Sequence, residues 1–253
     1  MSGWLRVVGL GPGPERWITP EAADALAAAT DLVGYRSYLA RVTPRPDQRV
    51  HDSDNGDELA RARHALALAS EGARVAVVSG GDPGVFAMAA AVLEALALLP
   101  VSQRDLDVQV LPGVTAMLAA AARLGAPLGN DFCAINLSDN LKPWSVIERR
   151  LSLAAQADFV ICLYNPASRA RPEQVHKAFA LLRAQRTADT VVVFAKAIGR
   201  PDEEVYVRTL GEADPALADM RTLLLFGAST TRCLDKADGT QWVYSPRKLR
   251  EAP

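Results

Sequence analysis

Three turns in this chain of 253 residues combine glycine with residues that handle charge or donate hydrogen bonds: GLGPGP (9–14), SGGDPGVF (79–86) and LPGVTA (111–116). Glycine lets a backbone approach a partner closely and adopt positive φ, so such turns suit a ligand gripped through main-chain contacts. The first turn looks like a nucleotide loop but lacks what one needs. A dinucleotide fingerprint runs G-x-G-x-x-G from a strand straight into a helix, whose N-terminus meets the pyrophosphate. Here the third glycine's place is taken by Pro14, the next helix cap is Thr19 ahead of Pro20 and Glu21, and the stretch DLVGYRSYL (31–39) ends without an acid for a ribose. A structural Gly/Pro turn and a loop kept open for a larger ligand both fit.

In the second turn, Asp82 before Pro83 reads as a helix N-cap, with proline at the first helical position. The flanking Gly80, Gly81 and Gly84 also suit a carboxylate that meets a cationic or hydroxyl-bearing ligand. Thr115 carries the same two readings, cap or ligand contact. Tyr164 leaves an apolar run in LYNPAS (163–168), where it either packs in the core or meets a ligand's flat ring. Asn165 before Pro166 initiates a turn, and Ser168 with Arg169 reads as solvated surface. His51, His64 and His176 have no metal-ligand spacing, and neither H-E-x-x-H nor G-x-S-x-G is present. The chemistry left is group transfer in which binding and orientation dominate.

The elements that must position these residues follow from periodicity. Short β-branched runs alternate with Ala/Leu-rich helical patterns, the pattern of parallel sheets with crossover helices. Strands are expected at LRVVGL, ARVAVVSGG and LDVQVLPG in the first half. In the second half they are expected at DFCAINLS, DFVICLY, TVVVFAKA, EEVYVRTL and TLLLFG, with the third and fourth of these antiparallel across IGRPD. In open α/β sheets ligands collect at strand carboxyl ends, where the glycine turns, LYNPAS, FAKAIG and FGAST all fall. The Gly/Pro stretch LGAPLGND sets the domain boundary, giving residues 1–127 and 128–253.

Composition narrows the classes. Apolar residues make up 49% of the chain, as in a folded globular protein. The 28 Lys and Arg against 29 Asp and Glu give no bulk attraction to nucleic acid or to an anionic membrane, so an acidic ligand needs local basic clusters. Cys133, Cys162 and Cys233 form no C-x-x-C pair, which fits a reducing cytoplasm. The N-terminus runs into a strand without a signal pattern, and GVFAMAAAVLEALALLP, carrying Glu94, reads as a buried helix rather than a membrane span.

Taken in order and spacing, VGLGPG, SGGDPGVF and LPGVTA followed by a second α/β half resemble the tetrapyrrole (precorrin) methyltransferases that use S-adenosylmethionine. The resemblance covers nearly the whole chain. The segments DFCAINLSDNLKPWSVIERRL and CLYNPASRAR resemble more narrowly the ring-contracting branch of that family. It implies a two-domain α/β fold, each domain a mainly parallel or mixed sheet flanked by helices, with the active site in the cleft between them. The first domain, with the glycine loop, would take the tetrapyrrole, and the second would complete the donor site. Carried over residue by residue, S-adenosylmethionine, leaving as S-adenosylhomocysteine, would meet Gly81, Asp82, Phe86, Thr115, Ala116, Tyr164, Ala197 and Thr209. Gly11, Pro12 and Gly13 would face the macrocycle. Asp82 is the candidate acid or base, with Ser138 and Asp139 as alternates.

The substrate such a resemblance implies is rich in carboxylates, so arginines should line its edge. GYRSYLARVTPRPDQR holds Arg36, Arg41, Arg45 and Arg49, which also reads as a solvated linker. Arg36, Arg45, Arg16 and Lys142 are the substrate candidates. No metal or iron–sulfur cluster, nucleic acid or membrane is expected. A cytoplasmic homodimer with transient contacts to neighbouring pathway enzymes is. A methylase acting at another carbon, a silent tetrapyrrole carrier and a nicotinamide oxidoreductase are the competing readings, the last disfavoured by Pro14.

Overall fold

A computed structural model describes residues 3–168 and 170–248, so Arg169 lies outside the described residues. The chain divides into two compact units, residues 1–115 and 116–253. The first contains β1 (Trp4–Gly9), α1 (Pro20–Ala28), β2 (Asp31–Tyr35), α2 (Arg36–Leu39), β3 (Arg49–Ser53), α3 (Glu58–Ser70), β4 (Arg74–Ser79), α4 (Met88–Ala97) and β5 (Asp107–Leu111). Its sheet is wholly parallel in the order β3-β2-β4-β1-β5. Helices cover both faces, which is why β1 and β4 are near-continuous apolar runs rather than alternating ones. Leu5, Val7, Val75 and Val77 pack with Ala62, Leu66 and Val92 on one face, and Val8, Leu10, Ala76 and Val78 with Ala22 and Leu39 on the other. Each fully buried Val or Leu contributes about 1.5–3 kcal/mol.

The second unit contains α5 (Ala116–Leu124), β6 (Gly125–Ala126), β7 (Phe132–Asn136), α6 (Trp144–Gln156), β8 (Val160–Tyr164), α7 (Glu173–Gln185), β9 (Val191–Lys196), β10 (Glu204–Thr209), β11 (Thr222–Phe226), β12 (Arg232–Asp235) and β13 (Gln241–Tyr244). Its main sheet runs β10-β9-β11-β8-β7, with β11 antiparallel to both neighbours and β10 antiparallel to β9, as the IGRPD turn led one to expect. Phe179, Phe194 and Phe226 are fully buried at its centre. Strands β12, β13 and β6 form a small second sheet.

The units divide between Thr115 and Ala116, twelve residues before the 127/128 boundary expected from LGAPLGND. Helix α5 packs on β6, β11 and β13, so contact places it with the second half although the Gly/Pro stretch follows it. A second difference concerns Asp82. Helix α4 starts at Met88 with Ala87 at its cap, so Asp82 and Pro83 do not open it but belong to a turn that continues to Ala87.

Candidate active site

In the first unit β4, β1 and β5 are adjacent and parallel, so the three glycine turns leave the sheet side by side. They pack backbone on backbone. Gly11 and Gly81 exchange two N–H···O bonds of 3.1 Å, each with φ near +65° (+65° and +67°), which favours glycine. A methyl added at Gly9 would lie 2.8 Å from Gly113 Cα and 2.9 Å from Gly81 O. Several of these glycines therefore serve the approach of loop to loop, where the sequence suggested approach to a ligand. The Asp82 carboxylate ties the same turns together: Gly84 N donates to Oδ1 at 2.8 Å and Gly113 N to Oδ2 at 3.0 Å. Phe86 follows with φ +53° and its ring half exposed, strain of a kind that collects at ligand sites. Thr115, buried, immediately precedes α5.

The first turn is braced from the segment after β2. Arg41 donates from Nη1 to Gly11 O at 3.0 Å, and from Nη2 to Gly13 O at 2.8 Å and Leu10 O at 3.2 Å. Trp17 N donates to Pro14 O at 2.9 Å. Gly11 and Gly13 are buried, Pro12 and Pro14 half-buried, and Arg16 is exposed on a single 3-10 turn. The basic segment is thus not a linker. Arg36 pairs with Asp52 at 2.6 Å, holding that carboxyl below the usual carboxylate range. Arg45 pairs with Asp47 at 3.0 Å and donates to Ala27 O and Ala29 O, the carbonyls that the end of α1 leaves without helical partners. Arg49 donates to the buried Asp31 at 2.8 Å. Arg36 and Arg45, expected at a substrate edge, each pair with a carboxylate of their own unit, and the Arg36 side chain stays 67% exposed.

In the second unit the register sets Asn136 beside Tyr164, and β8 and β9 run in the same direction with β11 between them. Tyr164, Asn165 and Ala197 therefore stand at one end of the sheet, where β8 and β9 finish. Tyr164 Oη accepts from Met117 N at 3.1 Å and so caps α5 from outside the helix. Asn165 at φ +52° donates from Nδ2 to Asn136 Oδ1 at 3.1 Å, and Ser138 N donates to the same oxygen at 2.8 Å. Gln174, buried, donates from Nε2 to Asp139 Oδ2 at 2.9 Å, while its own Oε1 has no hydrogen-bond partner among the described residues. Ala197 at φ +50° is buried, and its N–H donates to Arg221 O. Lys142 is half-buried, and burial, then Arg150, pushes its ammonium down.

Thr209 is not brought to this group. Because β10 folds back on β9, Thr209 pairs with Val191 at the opposite end of the strands, while Glu204 sits beside Lys196. Five residues of strand separate the two ends, about 17 Å. Thr209 Oγ1 donates to Glu212 at 3.0 Å instead. Asn136, Gln174 and the clamp of Arg41 escaped the sequence reading, since their roles depend on register and on contacts distant in sequence. Asn165 before proline did carry a turn signal.

None of the three cysteines is an activated thiol. Burial, followed by the nearby Cys133, drives the Cys162 thiol up to about 12, and burial also raises Cys133 and Cys233. Among the described residues no group of three His, Cys, Asp or Glu is placed to hold a metal. What remains are rigid turns, strained positions and oriented polar groups, suited to placing two reactants.

Residues 5–214 match the family described as Tetrapyrrole (Corrin/Porphyrin) Methylases. The chain is 56% identical to a Sinorhizobium protein named Precorrin-3B C(17)-methyltransferase, over 98% of this chain and 97% of that one. It is 50% identical over its whole length to the Mycobacterium bovis Cobalamin biosynthesis protein CobIJ, of which it spans about half, 49%. A crystal structure of the methyltransferase CobJ superimposes with a TM-score of 0.92 at 51% identity, covering 97% of this chain and 100% of that one.

Proposed function

The chain belongs to the tetrapyrrole methylases, and from that premise we infer that it is the S-adenosylmethionine-dependent enzyme that methylates precorrin-3B at carbon 17, with ring contraction to precorrin-4, in cobalamin biosynthesis. The observation that carries this reading is the near-full-length likeness to the Sinorhizobium enzyme. The residues fit the methyl donor. Ser79 Oγ is buried with no hydrogen-bond partner among the described residues, a Cβ at Gly81 would stand 4.0 Å from Val114 O, and Phe86 exposes an aromatic face. Gly81, Asp82, Phe86, Thr115, Ala116, Tyr164 and Ala197 are the proposed donor-binding residues.

S-adenosylmethionine supplies an electrophilic methyl on a positively charged sulfur. Transfer from it asks the protein for in-line placement and accommodation of charge more than for a strong base. Ring contraction, which extrudes carbon 20 as an acetyl group, does ask for proton handling. Asp82 is poorly suited to that, since both carboxylate oxygens are engaged by backbone N–H groups. Asp139, oriented by Gln174, and the neighbouring Ser138 are the better candidates. Gly11, Pro12 and Gly13 are proposed to meet the macrocycle, with Arg16 and Lys142 at its carboxylates.

No helix among the described residues is long and apolar enough to cross a membrane. The proposal extends to a cytoplasmic homodimer that passes its product to neighbouring enzymes, with sedimentation to test the dimer. The direct test of activity is stoichiometry: anaerobic incubation with precorrin-3B and S-adenosylmethionine should yield one S-adenosylhomocysteine per pigment methylated. Pigment held tightly with no S-adenosylhomocysteine formed would make the chain a carrier and defeat the reading.

A further inference from the structure

The turn Leu10–Pro14 has an unusual hydrogen-bond economy. Every peptide unit normally offers one N–H and one carbonyl. The units Gly11–Pro12 and Gly13–Pro14 have no N–H, because proline follows. Their carbonyls are taken by the one guanidinium of Arg41, which also holds Leu10 O. Gly11 N and Gly11 O are further engaged by Gly81, and Pro14 O by Trp17 N. A phosphate cradle works through N–H groups aimed at the ligand. This turn has little of that capacity left, and its half-buried Pro12 and Pro14 rings are apolar. Such a surface suits the flat face of a large conjugated ring.

We propose that Arg41 is a positioning residue for the tetrapyrrole: by gathering the carbonyls of Leu10, Gly11 and Gly13 on one guanidinium, it fixes the Gly-Pro-Gly-Pro turn as a rigid apolar platform for the macrocycle. The inference rests on the reading of the chain as a tetrapyrrole methylase. It also gives the segment after β2 a second brace, because the Tyr38 ring stands 2.7 Å from where Gly80 would carry a Cβ. Arginine is required because a planar fork of five donors reaches three carbonyls at once, whereas a lysine ammonium acts as a compact point charge on a flexible stem.

The test compares wild type, Arg41→Ala and Arg41→Lys by hydrogen exchange over residues 10–14 and by titration with S-adenosylhomocysteine and with anaerobic precorrin-3B. In Arg41→Ala, exchange in the turn should rise while the rest of the first unit keeps its protection. Precorrin-3B affinity should fall about tenfold or more, and S-adenosylhomocysteine affinity should stay within about twofold. Arg41→Lys should fall between, and added guanidinium should restore part of the affinity of Arg41→Ala. Unchanged exchange in the turn would overturn the clamp, and faster exchange with unchanged precorrin-3B affinity would overturn its link to substrate. If Arg41→Ala loses protection everywhere, Arg41→Lys decides, and wild-type exchange and affinity in that folded variant would refute the proposal. Wild-type protein that neither binds nor methylates precorrin-3B would sink the underlying reading, and the exchange comparison would still decide whether Arg41 holds the turn.

Discussion

At the scale of single residues, Asp82 shows how a group with the right chemistry can be occupied by structure. Its two oxygens accept from Gly84 N and Gly113 N, so the carboxylate joins the turn after β4 to the turn after β5. Asp82→Asn keeps the shape but sets an amide N–H₂ against one of those backbone donors. Both donors are at least partly exposed, so losing one of these bonds costs about 1 kcal/mol. The expected outcome is therefore a joint loss, lower unfolding free energy in urea and weaker S-adenosylhomocysteine binding by calorimetry. Turnover lost at unchanged stability and affinity would instead return Asp82 to the chemistry. Phe86 in the turn after β4, and Asn165 and Ala197 in the turns after β8 and β9, are at positive φ without being glycine. Positive φ is hard to read in a single sequence, although Asn before proline came close.

Elements decide which of these residues keep company. The strands buried on both faces, β1, β4, β8, β9 and β11, were legible because they are near-continuous apolar runs between turn signals. Strand β3 was not: it is an edge strand reading RVHDS, with polar and charged side chains, inside a segment whose arginines pointed to a linker or a substrate edge. Its anchor is Asp31, fully buried on β2, which accepts from Thr30 Oγ1 at 2.7 Å and Arg49 Nη2 at 2.8 Å, with His51 Nε2 at 2.8 Å. Burial alone would raise this carboxyl, but the hydrogen bonds from Arg49, Thr30 and His51 outweigh it and hold the group below its ordinary value. A lowered folded value means that its stabilisation is complete above the unfolded value of about 4 and drains as pH falls through the folded one. Asp31→Asn should cost about 2 kcal/mol at neutral pH and flatten the acid limb of the stability curve. Equal acid slopes for the two proteins would show that Asp31 is not the linked group. The reversal of β10 on β9 makes a complementary prediction. Thr209→Val should leave S-adenosylhomocysteine affinity within about twofold of wild type by calorimetry, since the residue lies beside the start of β9, and a tenfold loss would put it back in the donor site.

At the scale of the whole molecule, two α/β units each gather their unusual residues at the carboxyl ends of their own parallel strands, where such sheets hold ligands. The ordered set of three glycine turns made the family legible, because each turn alone is common but their spacing is not. What could not be read was the division at Thr115, since α5 is assigned by its packing rather than by the Gly/Pro stretch that follows it. The Gly-Pro-Gly-Pro turn of the first unit and the strained, oriented polar groups at the strand ends of each unit are the parts that the proposed methyl transfer would use. The most direct test is anaerobic incubation of the protein with precorrin-3B and S-adenosylmethionine carrying a carbon-13 methyl, followed by NMR of the pigment. The account predicts the label at carbon 17, together with carbon 20 carried outside the contracted ring as an acetyl substituent of the same pigment. Label at another ring carbon, or unlabelled pigment bound to the protein, would contradict it.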